Sequence, residues 1–126
     1  MVTEDYVSFE TAKLLKEKGF DEPCYAEYYV PTKEFNHFEY EGNNNENYKE
    51  WITAPTLQMA MKWLRKEHNL CIVSLPVVTD DEGEGGCLWK YTISMKLKVL
   101  FDSGNLYESP EIALDDAIKR CSENLI

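Results

Sequence analysis

A chain of 126 residues with 44% hydrophobic and 13% aromatic residues fits one domain and can bury a sizeable core, which argues against disorder. Its formal net charge of −10 repels nucleic-acid phosphates and disfavours generic nucleic-acid binding. No stretch is apolar for long enough to span a bilayer as a helix, so no membrane partner is expected.

Met1 to Val7 is a short lead-in without a basic region followed by an apolar run, so no secretory signal is expected and the chain is placed in the cytoplasm. Ser8 can cap a helix from about Phe9 to Lys18, because its hydroxyl accepts from the free N–H groups of the first turn. Phe9, Ala12, Leu14 and Leu15 form the apolar stripe of that helix, and Lys13, Lys16 and Lys18 lie towards its cation-favouring end. Gly19 supplies a left-handed stop on which Phe20 folds back. Cys24 to Val30 alternates as a tyrosine-rich strand. Pro31-Thr32-Lys33 reads as a turn, and Phe35 to Tyr40 as a less regular second strand. Glu41 to Glu50 has a glycine, several asparagines and no apolar period, so a mobile loop is expected over about 41–50, anchored by Trp51 and Ile52.

Ala54-Pro55-Thr56 offers a first-turn proline and a capping hydroxyl for a helix ending near His68-Asn69. Leu57, Ala60, Met61 and Leu64 form its stripe, widened by Met59 and Trp63, with Lys62, Arg65 and Lys66 opposite. Leu70 to Val78 is short, apolar and β-branched, so a largely buried strand is expected, with Pro76 at an edge, a bulge or the strand end. A hairpin tip covers about 79–86.

The most regular stretch follows. Trp89, Tyr91, Ile93, Met95, Leu97, Val99 and Phe101 alternate with Lys90, Thr92, Ser94, Lys96 and Lys98, which predicts one long strand with a dry and a wet face. Each dry-face side chain, if fully buried, contributes about 1.5–3 kcal/mol. Ser109 and Pro110 open a last helix, with Ala113, Ala117 and Cys121 in one row and Leu114, Ile118 and Leu125 in the next. The order is α-β-β-α-β-β-α. It predicts a single α+β domain over 1–126, an antiparallel sheet of about four strands with helices packed on one face.

Few residues suggest chemistry. The 4 cysteines, Cys24, Cys71, Cys87 and Cys121, are far apart and read as buried free thiols. The 2 histidines, His37 and His68, sit in no catalytic motif and make no metal site. The acidic tip Asp80-Asp81-Glu82-Gly83-Glu84 lacks the ligand spacing of a calcium loop. No glycine-rich phosphate loop occurs, and Asp115-Asp116 lies on a helix whose other face is core. No catalytic residue, metal or cofactor is therefore expected. One uneven feature remains. Lys62, Arg65 and Lys66 form one basic strip, and Lys90, Lys96 and Lys98 form another. If they adjoin they make a candidate site for a small anion such as a nucleotide, with Trp51, Trp63 or tyrosine residues stacking on a base. Otherwise the lysines keep a sheet soluble and block its edge.

The stretches FETAKLLKEKGFDEPC, APTLQMAMKWLRKEHNL and YESPEIALDDAIKRCSENLI resemble the signature blocks of a family of small uncharacterised proteins of Bacteroides-type gut bacteria and their phages and prophages. The last block also has a short likeness to HicB-type antitoxins. The family resemblance implies a mobile-element accessory protein inside a bacterial host cell, and it brings no catalytic residues. The expected function is a non-enzymatic binder of a host or phage protein through an acidic surface. The alternative is a nucleotide-binding sponge or sensor of the anti-defence type. Exposed strand edges leave a homodimer open.

Overall fold

The computed structural model describes residues 3–44, 50–77, 87–96 and 98–126, with the backbone alone at Glu39 and Tyr40. Helix α1 spans Phe9–Glu17, and its start is the expected one: the Ser8 hydroxyl accepts from the Thr11 N–H. At its end Gly19 takes a left-handed φ of 93°, and the Phe20 N–H donates to the Leu15 carbonyl at 2.9 Å, which tucks Phe20 into the core. Helix α2 spans Leu57–His68. Thr56 caps it by accepting from the Met59 N–H, so Pro55 precedes the cap and is not in the first turn. Helix α3 spans Pro110–Arg120 behind the Ser109 cap and widens into a π-helical turn over Cys121–Leu125.

The strands are β1 Cys24–Tyr29, β2 Glu34–Gly42, β3 Trp51–Thr53, β4 Cys71–Val77, β5 Leu88–Met95 and β6 Lys98–Asp102. They pair antiparallel throughout, and the α+β class read from the sequence holds. The strands divide, however, between two three-stranded sheets, β2-β1-β3 and β4-β5-β6. The break between the sheets falls at α2, which separates β3 from β4 along the chain. Of the loop expected over 41–50, Glu41 and Gly42 belong to β2. Asn44 is anchored, donating to the Phe20 carbonyl at 2.6 Å and accepting from the Thr53 N–H at 3.0 Å. Residues 45–49 and the hairpin tip at 79–86 lie outside the described residues.

The single long strand expected over Trp89–Phe101 is a hairpin. Lys96 takes a left-handed φ of 48°, and β6 turns back on β5 with Met95 opposite Lys98. The alternation survives in β5, where Tyr91 and Ile93 are buried. It slips in β6, where a bulge pairs Ile93 with Phe101 and Ser94 with Val99, leaving Leu100 as the extra residue. Phe101 therefore faces the core, while Val99 is 60% exposed. The largely buried strand expected from Leu70 to Val78 is also corrected. β4 is an edge strand that alternates between half-buried and exposed, because only one face of its sheet is covered. For the same reason Cys71 is exposed, as is Cys87 just ahead of β5; only Cys24 and Cys121 are buried free thiols.

The core draws on both sheets and all three helices, from Val7, Leu15 and Ile52 through Leu64 and Leu70 to Ile93 and Ile118. A polar network lies between α3 and the second sheet. Tyr107 and Tyr91 both donate to Asp116 Oδ2, Arg120 Nε donates to the Tyr91 hydroxyl at 3.0 Å, and the Arg120 guanidinium stacks 3.9 Å from the Phe101 ring centroid. Burial raises the Tyr91 and Tyr107 hydroxyls above the usual phenol range, and in Tyr107 the bond to Asp116 adds to it. The network pins α3 across β5 through paired polar groups, as a core polar group requires.

Candidate functional site

The two basic strips occupy different places. Lys62, Trp63 and Lys66 of α2 line a groove of about 200 Å³ with Glu22, Met59 and Glu67. Two cations there face two carboxylates, so the groove has no net positive charge. Trp63 is only 8% exposed, wedged edge-on against Phe20 and His68, which leaves little ring face for a base. Arg65 is exposed on the same helix but does not line the groove. Lys90, Lys96 and Lys98 belong to the β5–β6 hairpin and do not line it either. Lys90 reaches Asp102 across the hairpin at 3.7 Å.

The other candidates resolve into structural roles or stand alone. His37 is exposed on β2 and meets Tyr6 edge-on. Asp115 accepts from the Ser8 N–H at 2.8 Å and ties α1 to α3, while Asp116 holds the tyrosines. Among the described residues no three His, Cys, Asp or Glu side chains gather as they would around a metal ion. No described helix is long and apolar enough to cross a membrane. The Asp80–Glu84 tip lies outside the described residues.

A different surface stands out once the register is known. β1, β2 and β3 contain no lysine or arginine. Pairing sets Tyr25, Glu27 and Tyr29 of β1 on the face away from the core, with Glu34 and Asn36 of β2 and Trp51 of β3 beside them. Trp51 packs on Tyr29 at 4.9 Å and on Phe38 at 6.2 Å between ring centroids. Tyr25 is 47% exposed and donates to Glu41 Oε1 at 3.0 Å. That bond, and then the charge of Glu41, raises the Tyr25 hydroxyl above its ordinary value. Cys24 reports the same field. Burial pushes its thiol up to about 12, with Glu22, Glu27 and Glu41 adding to the rise. Carboxylates therefore converge at one end of an aromatic sheet face. The sequence signal for this face was the cation-free run of tyrosines and glutamates from Cys24 to Gly42, broken only at the Lys33 turn. An aromatic face that also carries carboxylates suits a cation, because ring faces and carboxylates both attract guanidinium and ammonium groups. No family model, curated protein or solved structure matches this chain.

Proposed function

We propose that the chain is a non-enzymatic binding protein that engages a basic segment of a host or phage protein through the outer face of the β2-β1-β3 sheet. The observation that carries this reading is Tyr25, exposed and held by Glu41, on a face shared with Glu27, Tyr29, Glu34 and Trp51. The net charge of −10 would steer a basic partner over distance, and the aromatic rings would hold its arginines or lysines at contact. The resemblance of the three helix-bearing blocks to small phage proteins supports a bacterial host cell as the setting. A nucleotide sponge or sensor remains the second reading, favoured only by Lys62 and Lys66 flanking Trp63 in one groove.

The experiment is a paired capture from host lysate with the wild-type chain and a Glu27→Lys/Glu34→Lys variant. The expected result is one enriched basic protein, lost with the variant and weakened by salt, since exposed charges are screened over about 10 Å at 0.1 M. The same proteins on both baits, or none on either, would overturn the reading.

A further inference from the structure

The β1–β2 ladder is broken at one place. Cys24 pairs with Gly42 and Ala26 with His37, so residues 38–41 of β2 stand opposite Tyr25 alone. A bulge of this kind opens the ladder and re-aims the side chains beside it. Residues that flank the break line a cleft of about 230 Å³: Cys24, Tyr25 and His37, joined by Glu4, Tyr6 and Met59. Backbone bonds fix one wall. The Val7 N–H donates to the Pro55 carbonyl at 3.1 Å and the Leu57 N–H to the Asp5 carbonyl at 3.0 Å, which holds Tyr6 against the residues ahead of α2. The Tyr6 and His37 rings lie at 78° with centroids 6.0 Å apart, and Glu41 holds the Tyr25 hydroxyl. At the buried end Cys24 Sγ lies 3.9 Å from Met59 Sδ.

Size and charge decide what enters. Pockets for drug-sized ligands run from about 300 to 1,000 Å³, so this cleft suits a single side chain. None of its described lining residues is a lysine or arginine, and Glu4 stands exposed beside it. Burial, and then the charge of Glu4, raises the Tyr6 hydroxyl above its ordinary value. The Cys24 thiol, raised chiefly by burial, is raised further by Glu22, Glu27 and Glu41. Wall and floor therefore sit in a negative field, which disfavours a carboxylate or phosphate and favours a cation. The rings favour a cation that sheds water readily. The lysine ammonium is compact and strongly hydrated, whereas the arginine guanidinium is planar, more weakly hydrated, stacks on rings and still donates to a carboxylate. We propose that the cleft takes one arginine side chain of the partner's basic segment, with its guanidinium among Tyr6, Tyr25 and His37 and its donors towards Glu4. The inference rests on the reading of the partner as basic and names its anchor. Tyr25 belongs to the outer sheet face and also lines the cleft, so a segment crossing that face reaches the cleft at Tyr25.

The test is an NMR titration of the full chain with ethylguanidinium as the arginine probe and butylammonium as the lysine probe, at equal ionic strength. Ethylguanidinium is expected to shift the Tyr6, Tyr25 and His37 amides saturably and to bind at least about threefold more tightly than butylammonium. Glu4→Gln should weaken it about threefold, as the loss of one exposed ion pair does, and Tyr6→Leu about fivefold, as the loss of one cation–π contact does. Thermal denaturation checks that Tyr6→Leu is folded, and the exposed Glu4→Gln carries the test if it is not. The proposal is overturned if no saturable shift occurs in the wild-type chain, if butylammonium binds as tightly, or if the folded variants bind as the wild type does. Capture from host lysate with a Glu4→Gln/Tyr6→Leu bait separates the two readings. A basic protein lost with Glu27→Lys/Glu34→Lys but retained in full by the cleft variant refutes the arginine anchor and leaves the binding protein standing. Ethylguanidinium binding with no captured protein refutes the binding protein and leaves the guanidinium preference of the cleft standing.

Discussion

Asp116→Ala should destabilise the fold through the pairing of α3 with the second sheet. The carboxylate accepts from the Tyr107 hydroxyl, and from Tyr91 over a longer 3.4 Å. A hydrogen bond to a charged group contributes about 1.5–3 kcal/mol, and a bond as long as the second contributes little. Tyr91 keeps Arg120 as a donor partner, but its own proton loses its acceptor. The expected loss is therefore about 2–3 kcal/mol, or about 10 °C in Tm for a chain of this size. Tyr107→Phe should remove about 1–2 kcal/mol, since it deletes only the donor. Urea denaturation followed by tryptophan fluorescence measures both, with an unchanged m-value confirming that compactness is kept. The two substitutions share one bond, so the double variant should fall short of their sum by about 1–2 kcal/mol. Strict additivity, or an Asp116→Ala loss below about 0.5 kcal/mol, would show that the network does not hold α3.

Three further outcomes follow from burial and backbone geometry. A thiol reagent at pH 8 should label Cys71 and Cys87 in the native chain and leave Cys24 and Cys121 until denaturant is added; four equally fast thiols would contradict the packing. Burial raises the Cys24 and Cys121 thiols from an ordinary value of 9.0 to about 12, so the native state holds those protons more tightly than the unfolded one. Their contribution is complete below about pH 9 and is lost as pH rises towards 12, so stability should fall over that window, and less steeply in a Cys24→Ala/Cys121→Ala variant. Gly19→Ala should destabilise by about 1 kcal/mol by urea titration. Nothing within 4 Å would meet the new methyl, so the whole effect comes from the left-handed φ of 93°, and a neutral or stabilising result would refute it.

Local signals were legible where one residue type does one job. Ser8, Thr56 and Ser109 cap the helices, and Gly19 and Asn69 end two of them, because a cap needs only a hydroxyl or a left-handed residue at one position. The β5–β6 turn was not legible. Lys96 is neither glycine nor asparagine, and the alternation of Trp89 to Phe101 runs unbroken through it. A turn followed by a bulge returns Phe101 to the core, so the pattern looks continuous although the chain has reversed. β3 has only three residues, too few for a period of two to register. The candidate sites failed to merge for a similar reason. The basic strips are real on each element, but whether they adjoin depends on tertiary placement, and the structure puts them on α2 and on the β5–β6 hairpin. The acidic aromatic face was half visible, as a run of tyrosines and glutamates without cations. Its assembly needed the register that sets Tyr29 beside Trp51 and Tyr25 beside Glu41.

The α2 groove separates the two functional readings by a single measurement. A nucleotide that binds only the folded chain, at about 100 times its Kd, adds about 2.7 kcal/mol, which moves Tm by roughly 10 °C. The groove is poorly suited to produce that shift. Lys62 and Lys66 are offset by Glu22 and Glu67, which repel phosphate, and Trp63 is already packed edge-on against Phe20. Cyclic and linear nucleotides at millimolar concentration should therefore move Tm by less than about 1 °C, since weak surface ion pairing contributes a few tenths of a kcal/mol at most. The informative control is Glu22→Gln/Glu67→Gln, which removes the offsetting charges and leaves the lysines. If that variant also gives no shift, the tryptophan is not a platform and the groove is only the seam between α2 and the residues before β1. A shift of several degrees in the wild-type chain, abolished by Lys62→Glu/Lys66→Glu, would make the groove a nucleotide site and displace the binding-protein reading.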